Sequence, residues 1–526
     1  MQPFIAAMLK VRQAFYAAAI RSLLRTKSLL KSILSFWISP SVLKAKDVET
    51  DVGSLLQTRI EEFLEDVEWR MRNEVKKERL LAFSKGLKGQ LEDSLLDNQQ
   101  CMLPSYNHQL PTGRECGTYL AVDVGGSTFR VALIELSGRD GAAPESKILK
   151  SRSVKINQAV KQLKGLAFFD WMAERIEDTL SGQSEGQETS GAPLAMGLAW
   201  SFPIEQTSLR SGLLQGMGKG FLAAHGLLGQ DLGDLIQDAC SRRGLKVQLN
   251  AIVNDSSATL LSKAYLDQTT RFALILGTGF NIAVHLPVHV FSPSKFGVRP
   301  STWHEAAKHV IVNTELSMFG AGILPFTKWD DLVNASHPQP QFQPMEHFVS
   351  GGYLGEIVRL VLVDGIQTAG VFGGVVPPSL REEYSLDTET LSKIESDPSP
   401  NLTAARQIFL ARHPMTYQPT VNDLQALHSI ASNVAYRASS VVAAGIHALW
   451  ELRNDAEHIL ASDSEHTLVA YNGSVMENYP GFRASCQSKL DSLVEASGGK
   501  AGMVELMYAE ESSLLGAAVA VACLEG

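Results

Sequence analysis

Residues 119–136 constrain this chain more than any other stretch: Tyr119-Leu-Ala-Val-Asp-Val-Gly-Gly-Ser-Thr-Phe-Arg-Val-Ala-Leu-Ile-Glu-Leu136. Two runs of alternating apolar and β-branched residues flank a glycine turn, which reads as a β-hairpin. The turn region carries a carboxylate (Asp123), two residues without side chains (Gly125, Gly126), two hydroxyls (Ser127, Thr128) and a cation (Arg130). Bare N–H groups and hydroxyls suit phosphate oxygens, and a carboxylate beside them suits a hydrated magnesium ion. This is not a Walker loop, because its Gly-Lys-Ser/Thr signature is missing and a strand, not a helix, follows the turn. Taken alone, the segment fits an ordinary Gly-Gly hairpin equally well.

A chain of 526 residues is too long for one core and predicts two or more domains. The five cysteines (Cys101, Cys116, Cys240, Cys486, Cys523) are widely spaced, which fits free thiols in a reducing compartment. Residues 1–46 hold eight Lys and Arg and no acid, so the net charge of −9 becomes −17 once those eight are set aside. An acidic body gives no sign of nucleic-acid binding. The basic, apolar, Ser-containing head (1–46) has the composition of a mitochondrial targeting or membrane-surface segment, and no uncharged run in it reaches bilayer length. The plainer reading is a loosely docked extension. The expected location is the cytoplasm, with the mitochondrion or the mitochondrial outer surface as the destination that the head suggests.

Periodicity predicts helices over 51–95, near Phe168–Leu180, and at Ser256–Leu266, Gly352–Val363, Val421–Arg453 and Ser512–Leu524. Strands are predicted at Leu194–Ser201, Val247–Val253, Phe272–Leu276, Ile282–His285 and Thr467–Tyr471. A flexible loop is expected over 181–191, and surface loops over 336–344 and 397–400. The alternation implies an α/β fold. Leu274-Ile-Leu-Gly-Thr-Gly279 repeats the logic of the first hairpin, so two such turns can face one another across a cleft, each offering N–H groups to a triphosphate.

Polar residues cluster at predicted strand ends, where open α/β sheets bind ligands. They are Ser201-Phe-Pro203, Lys219, Asn254-Asp255, Asn281 and Glu315, a set suited to a polyhydroxylated sugar. Here the chain resembles the eukaryotic hexokinase family of the actin-like sugar-kinase superfamily, from about residue 51 onward. Eight segments match in family order: Asp123-Val-Gly-Gly-Ser-Thr-Phe-Arg130, Trp200-Ser-Phe-Pro203, Gly218-Lys-Gly-Phe221, Val253-Asn-Asp-Ser256, Gly277-Thr-Gly-Phe-Asn281, Asn313-Thr-Glu315, Ser350-Gly-Gly-Tyr-Leu-Gly-Glu-Ile-Val-Arg359 and Asn472-Gly-Ser-Val475.

The resemblance implies a two-lobed actin-like (ribonuclease H-like) ATPase fold with a cleft between lobes 47–267 and 268–526, the last helix returning to the first lobe. It implies phosphorylation of a hexose at its 6-hydroxyl with ATP and Mg2+. Asp255 is then the general base, with Lys219 and Arg130 assisting. Ser201, Phe202, Lys219, Asn254, Asp255, Asn281 and Glu315 contact the sugar. Asp123, Gly125, Gly126, Ser127, Thr128, Gly277, Thr278, Gly279, Asn472, Gly473, Ser474 and Ser513 serve ATP, Asp123 holding the metal through water. Each residue has a plainer reading: Asp255 as a helix cap, Lys219 as a surface lysine, Ser201-Phe-Pro203 as a strand end. His285 and His289 look like a metal pair but lack a third ligand, and we read them as structural.

The chain departs from the family at five places, the first being Ser127-Thr128 where Thr-Asn is more common. Met217-Gly218 replace Trp-Thr; Leu286-Pro287 stand where glutamates are usual, one of them associated with the anomeric side of the sugar. Glu511-Ser-Ser-Leu-Leu-Gly-Ala-Ala518 lacks a usual Gly-Lys, and Asn472 replaces a common aspartate. A small residue at 218 and a less acidic sugar site would suit a 2-acetamido sugar such as N-acetylglucosamine. This pattern resembles the atypical fungal hexokinase and N-acetylglucosamine kinase branch. The alternative in another class is a sugar sensor with weak turnover.

Overall fold

The computed structural model describes residues 45–139, 145–181, 192–218 and 220–524, with side chains from 57 onward. The body spans Phe63–Gly526, and residues up to Glu62 form a separate unit. The basic head (1–44), the loop 182–191 and Lys219 lie outside the described residues. Among the described residues, no helix is long and apolar enough to cross a membrane.

The strands are β1 (Leu103–Pro104), β2 (Cys116–Val124), β3 (Thr128–Ser137), β4 (Ser146–Lys155), β5 (Leu194–Trp200), β6 (Ile204–Gln206), β7 (Gly212–Leu214), β8 (Val247–Val253), β9 (Thr270–Leu276), β10 (Phe280–Pro287), β11 (His309–Asn313), β12 (Thr467–Asn472) and β13 (Val504–Tyr508). They build a five-stranded sheet in the order β4-β3-β2-β5-β8 and a six-stranded sheet in the order β1-β11-β10-β9-β12-β13, with β6 and β7 forming a separate hairpin. Leaving β1 aside, the two sheets have one topology. Each starts with antiparallel pairs (β2 with β3, β3 with β4; β9 with β10, β10 with β11) and continues with parallel ones (β2 with β5, β5 with β8; β9 with β12, β12 with β13). The repeat suggested by two glycine turns is thus a duplication of a whole sheet.

β2 is buried on both faces. Leu120, Val122 and Val124 pack into one core with Phe168, Phe169 and Met172 of the helix Leu166–Leu180. Tyr119 and Ala121 point to a second core, and the two-residue period puts Asp123 on that same face. The second core holds the helices Asp255–Leu266 and Ser512–Ala522, together with Ala199 and Ala251 of the first sheet and Ala273, Ala283 and Ala470 of the second. Small side chains let these helices lie close to the backbone. A Cβ on Gly516 would come 1.9 Å from Ala258 O, and one on Gly197 would come 2.0 Å from Ala517 O. Those two helices therefore carry their N-termini, with Asp255 and Ser513, to the side of the first sheet that Asp123 faces.

Most predicted elements stand, with altered ends. The helix expected at Gly352–Val363 runs Gly351–Ala369, and the one from Val421 runs to Ala456 behind a capping box of Thr420 and Asp423. The predicted loop 336–344 is shorter than expected, because Ser336 ends one helix and Pro344 opens another (Pro344–Val349), proline being well suited to a first turn. Strands β1, β4, β6, β7, β11 and β13 were not foreseen. β4 is a sheet edge whose residues are mostly exposed and polar, so it lacks the apolar alternation of a half-buried strand.

Candidate active site

The first glycine turn joins β2 to β3 and is closed by Gly125 N donating to Thr128 O at 3.0 Å. The second joins β9 to β10 and is closed in the same way by Gly277 N to Gly279 O at 3.0 Å. None of Gly125, Gly126, Gly277 or Gly279 has a positive φ. Their lack of a side chain therefore serves space beside the turn, not backbone handedness. The hydroxyl-bearing Ser127, Thr278 and Ser474 are exposed, whereas Thr128 and Ser513 are half-buried.

Asp123 sits at the end of β2, 6% exposed. Arg130 holds it from the neighbouring strand, with Nε and Nη2 at 2.9 and 2.7 Å from Oδ2. Both contacts use Oδ2, which leaves Oδ1 for a water of a hydrated cation; the donor set fits magnesium bound through water. The other face of Arg130 reaches Glu511, with Nη1 3.0 Å from Oε2. Burial pushes the Asp123 carboxyl above its usual range; Arg130 opposes this, and the nearby Asp255 and Glu511 add to it.

Asn254 and Asp255 both meet the start of the helix, Asp255 Oδ1 accepting from Ser256 N at 2.7 Å. Asn254 is the N-cap, its Oδ1 accepting from Ser256 N at 2.9 Å and Ser256 Oγ at 2.6 Å. Asp255 is the first residue of the helix, where the peptide dipoles favour a carboxylate. It also acts electrostatically on both Asp123 and Glu315. Ser201 follows β5, and its N donates to Val124 O at 3.2 Å, which places it beside the same strand end. The Phe202 ring packs against Trp200 and Phe221 at 5.3 and 5.0 Å between ring centroids. The ring of Phe202, a residue expected at the sugar, therefore belongs to the core.

Asn281 of β10, Asn313 of β11 and Glu315 just beyond it form a chain of hydrogen bonds. Asn281 Nδ2 donates to Asn313 Oδ1 at 2.7 Å, and Asn313 Nδ2 donates to Glu315 Oε1 at 2.8 Å. Glu315 has φ 51°, a left-handed conformation uncommon for glutamate and frequent at functional sites. Burial raises its pKa, Asn313 lowers it, and Asp255 and Glu346 raise it further.

Three contributors were missed in the sequence. Asn313 lay inside a quoted motif without a role. Glu511 lay in a segment noted only for what it lacks. Glu346 carried no signal beyond standing four residues before Ser350-Gly-Gly. Its Oε2 accepts from Phe280 N at 3.0 Å, and a Cβ on Gly279 would come 3.0 Å from that oxygen. Glu346 thus sets an acid against the second glycine turn. Leu286-Pro287, read as a lost acid at the sugar, belong elsewhere: Leu286 is fully buried and pairs with Val310, about 17 Å along β10 from Asn281.

The segment Ser350-Gly-Gly has a structural task. The N–H groups of Gly351 and Gly352 donate to Gly277 O at 2.8 Å and Thr278 O at 3.1 Å, so the helix Gly351–Ala369 grips the second turn by its carbonyls. A Cβ on either glycine would come within 2.7 and 2.9 Å of those same oxygens. Gly473, at φ 117°, follows β12 and touches the same turn, and Asn472 Nδ2 donates to Ala509 O at 2.9 Å. The two histidines of β10 and its extension diverge, His285 stacking on His309 and His289 on His458.

Comparison with known proteins accounts for this arrangement. Two family models described as hexokinase match residues 63–265 and 271–523. Hexokinase-2 of Oryza sativa subsp. japonica is 30% identical over 430 residues, covering 80% of this chain and 82% of its own. Hexokinase-2, chloroplastic, of Nicotiana tabacum is 32% identical over 432 residues, covering 80% and 82%. The Schistosoma mansoni hexokinase solved with glucose superposes with a TM-score of 0.72 at 26% identity, covering 89% of this chain and 99% of that one. The duplicated sheets are the two-lobed actin-like fold, and the shared activity is ATP-dependent phosphorylation of a hexose. The chain belongs to the hexokinase family, as a hexokinase-type sugar kinase.

Proposed function

We propose that this chain transfers the γ-phosphoryl group of ATP to the 6-hydroxyl of glucose or N-acetylglucosamine, with Asp255 as general base. The observation that carries this reading is that Asp255, at the start of its helix, acts electrostatically on both Asp123 and Glu315. A base between a metal-side acid and a sugar-side acid is what the reaction needs. The sugar oxygen attacks the γ-phosphorus in line, its proton passes to Asp255, and ADP leaves. Magnesium, when bound, neutralises charge on the phosphates. Arg130, Ser127, Thr128, Gly277–Gly279 and Ser474 surround the triphosphate, with Asn472 and Ser513 toward the nucleoside. Ser201, Lys219, Asn254, Asn281 and Glu315 hold the sugar, and Glu346 adds an acid to that side. We take 47–267 and 268–526 as the lobes that close over the sugar and exclude water, a competing nucleophile.

The case for a 2-acetamido sugar now rests on space. Glu346 returns an acid to the side thought to lack one, whereas a Cβ at Gly218 would meet nothing within 4 Å. The sensor reading keeps one support: Leu514 and Leu515, in place of the usual Gly-Lys, are buried. A paired assay with glucose and N-acetylglucosamine decides activity and substrate together, and no ADP release above background with either refutes the kinase. Asp255→Ala separates the two readings, since it lowers kcat on the order of 10²–10⁴-fold in an enzyme while leaving a sensor its cellular role. The basic head is proposed to carry the protein to a mitochondrial or other membrane surface. Unchanged distribution of a tagged protein lacking residues 2–46 refutes that.

A further inference from the structure

Behind the sugar-side acid Glu346 lies a cluster that the proposed reaction does not use. His347, His337 and Tyr353 pack together with tilted rings. The His347 ring lies 4.3 Å from that of His337 and 4.4 Å from that of Tyr353, between centroids. His347 is 5% exposed, and neither of its ring nitrogens has a hydrogen-bond partner. A buried imidazole must carry at least one N–H, and leaving it unpaired is unfavourable, so this side chain is a poor core residue as it stands. Next to it, Tyr353 Oη lies 3.2 Å from His337 Nε2. The other nitrogen, His337 Nδ1, faces Gln339 O at 2.9 Å and accepts from Gln339 N at 3.1 Å in the alternative tautomer, which leaves Nε2 to donate to Tyr353 Oη or to offer it a lone pair.

We propose that His337, His347 and Tyr353 form a binding site for a divalent transition-metal ion of the zinc type. Zinc–nitrogen and zinc–oxygen bonds of about 2 Å put tetrahedral ligand atoms about 3.3 Å apart, close to the Tyr353–His337 separation. Among the described residues, no group of three His, Cys, Asp or Glu is placed to hold a metal; here the third donor is a phenol. Binding displaces the phenolic proton of Tyr353 to solvent, and the metal takes its place between Oη and Nε2. His337 is half-buried and opens the path from outside.

The position gives the site a consequence. His347 follows Glu346 directly, and Tyr353 stands in the first turn of the helix whose Gly351 and Gly352 grip the second glycine turn. An ion that ties His347 to Tyr353 pulls on both, so zinc is expected to inhibit the kinase by weakening sugar binding. This second part rests on the proposed function, whereas the binding does not.

The test uses the full chain, stripped with chelator and free of sugar and nucleotide, titrated with Zn2+ and Co2+ alone. Cobalt should give the intense visible bands of a tetrahedral complex at one ion per chain. Those bands should vanish in His337→Ala, shift in Tyr353→Phe and persist in His289→Ala, with His347→Gln as a second variant should His347→Ala fail to fold. Equal binding by wild type and His337→Ala, or an octahedral cobalt spectrum, overturns the site. In the kinase assay, zinc should raise the sugar KM about fivefold or more in wild type and not in His337→Ala. Binding without that change overturns the coupling and leaves the site.

Discussion

Gly473→Ala should disable the nucleotide side while leaving the fold standing. Gly473 adopts φ 117° and ψ 143°, a region that L-residues rarely enter, and the strain alone is on the order of 1–3 kcal/mol. The new Cβ would lie 2.4 Å from Leu276 O and 2.9 Å from Gly277 N. Contact near 3.4 Å is the ordinary limit, so the Leu276–Gly277 backbone must move by about 1 Å. That backbone is the start of the second glycine turn, held on its far side by Gly351 and Gly352. A displacement of about 1 Å at a positioned group lowers catalysis on the order of 10²-fold, equivalent to about 2.7 kcal/mol of transition-state stabilisation. Steady-state kinetics with ATP varied should show the loss in kcat/KM for ATP. Gly498→Ala is the matched control: φ is 94°, yet a Cβ there meets nothing within 4 Å, so it carries strain without displacement. It should lower Tm and leave kinetics unchanged. If Gly473→Ala keeps wild-type kcat/KM for ATP, or if Gly498→Ala impairs it equally, the turn-displacement reasoning is wrong.

Two further substitutions probe the buried charges. Arg130→Ala leaves Asp123 buried without its cation and should destabilise the chain by about 3 kcal/mol, read as a lower urea midpoint at unchanged slope; an unchanged midpoint would show that the pair contributes nothing. Glu315→Gln should raise the sugar KM yet increase Tm at neutral pH, because the folded carboxyl has its pKa raised by burial. The sign follows from that direction. The penalty for the wild-type charge is absent below the unfolded pKa, grows as pH rises, and is complete above the folded pKa. The Tm gain should therefore disappear in acid, and a gain equal at all pH values would refute the assignment.

What could be read from the residues was whatever one segment carries alone. The β2–β3 and β9–β10 hairpins announced themselves because a glycine turn between alternating strands is a local signal, and Asn254-Asp255 read as a helix start for the same reason. The edge strand β4 did not, since an exposed strand has no apolar face to alternate. Glu346 was invisible because nothing within a few residues of it says that it meets Phe280, 66 positions away. Leu286 misled for the converse reason: nearness in sequence to the second turn is distance along an extended strand.

By itself, then, the sequence determined the family, the two glycine turns and the order of the motifs around the candidate site, all properties of short runs of chain. Only the tertiary structure decided which side chains share the site. It showed Asn254 and Asp255 sharing the helix start, and Asp255 acting electrostatically on both Asp123 and Glu315. It sent the Phe202 ring to the core and brought Glu346 and Glu511 in from remote segments. It also duplicated an entire sheet where the residues showed only a repeated turn. The physical reason is that a carboxylate's role depends on which charges and donors surround it, and long-range packing, not neighbouring sequence, brings those together.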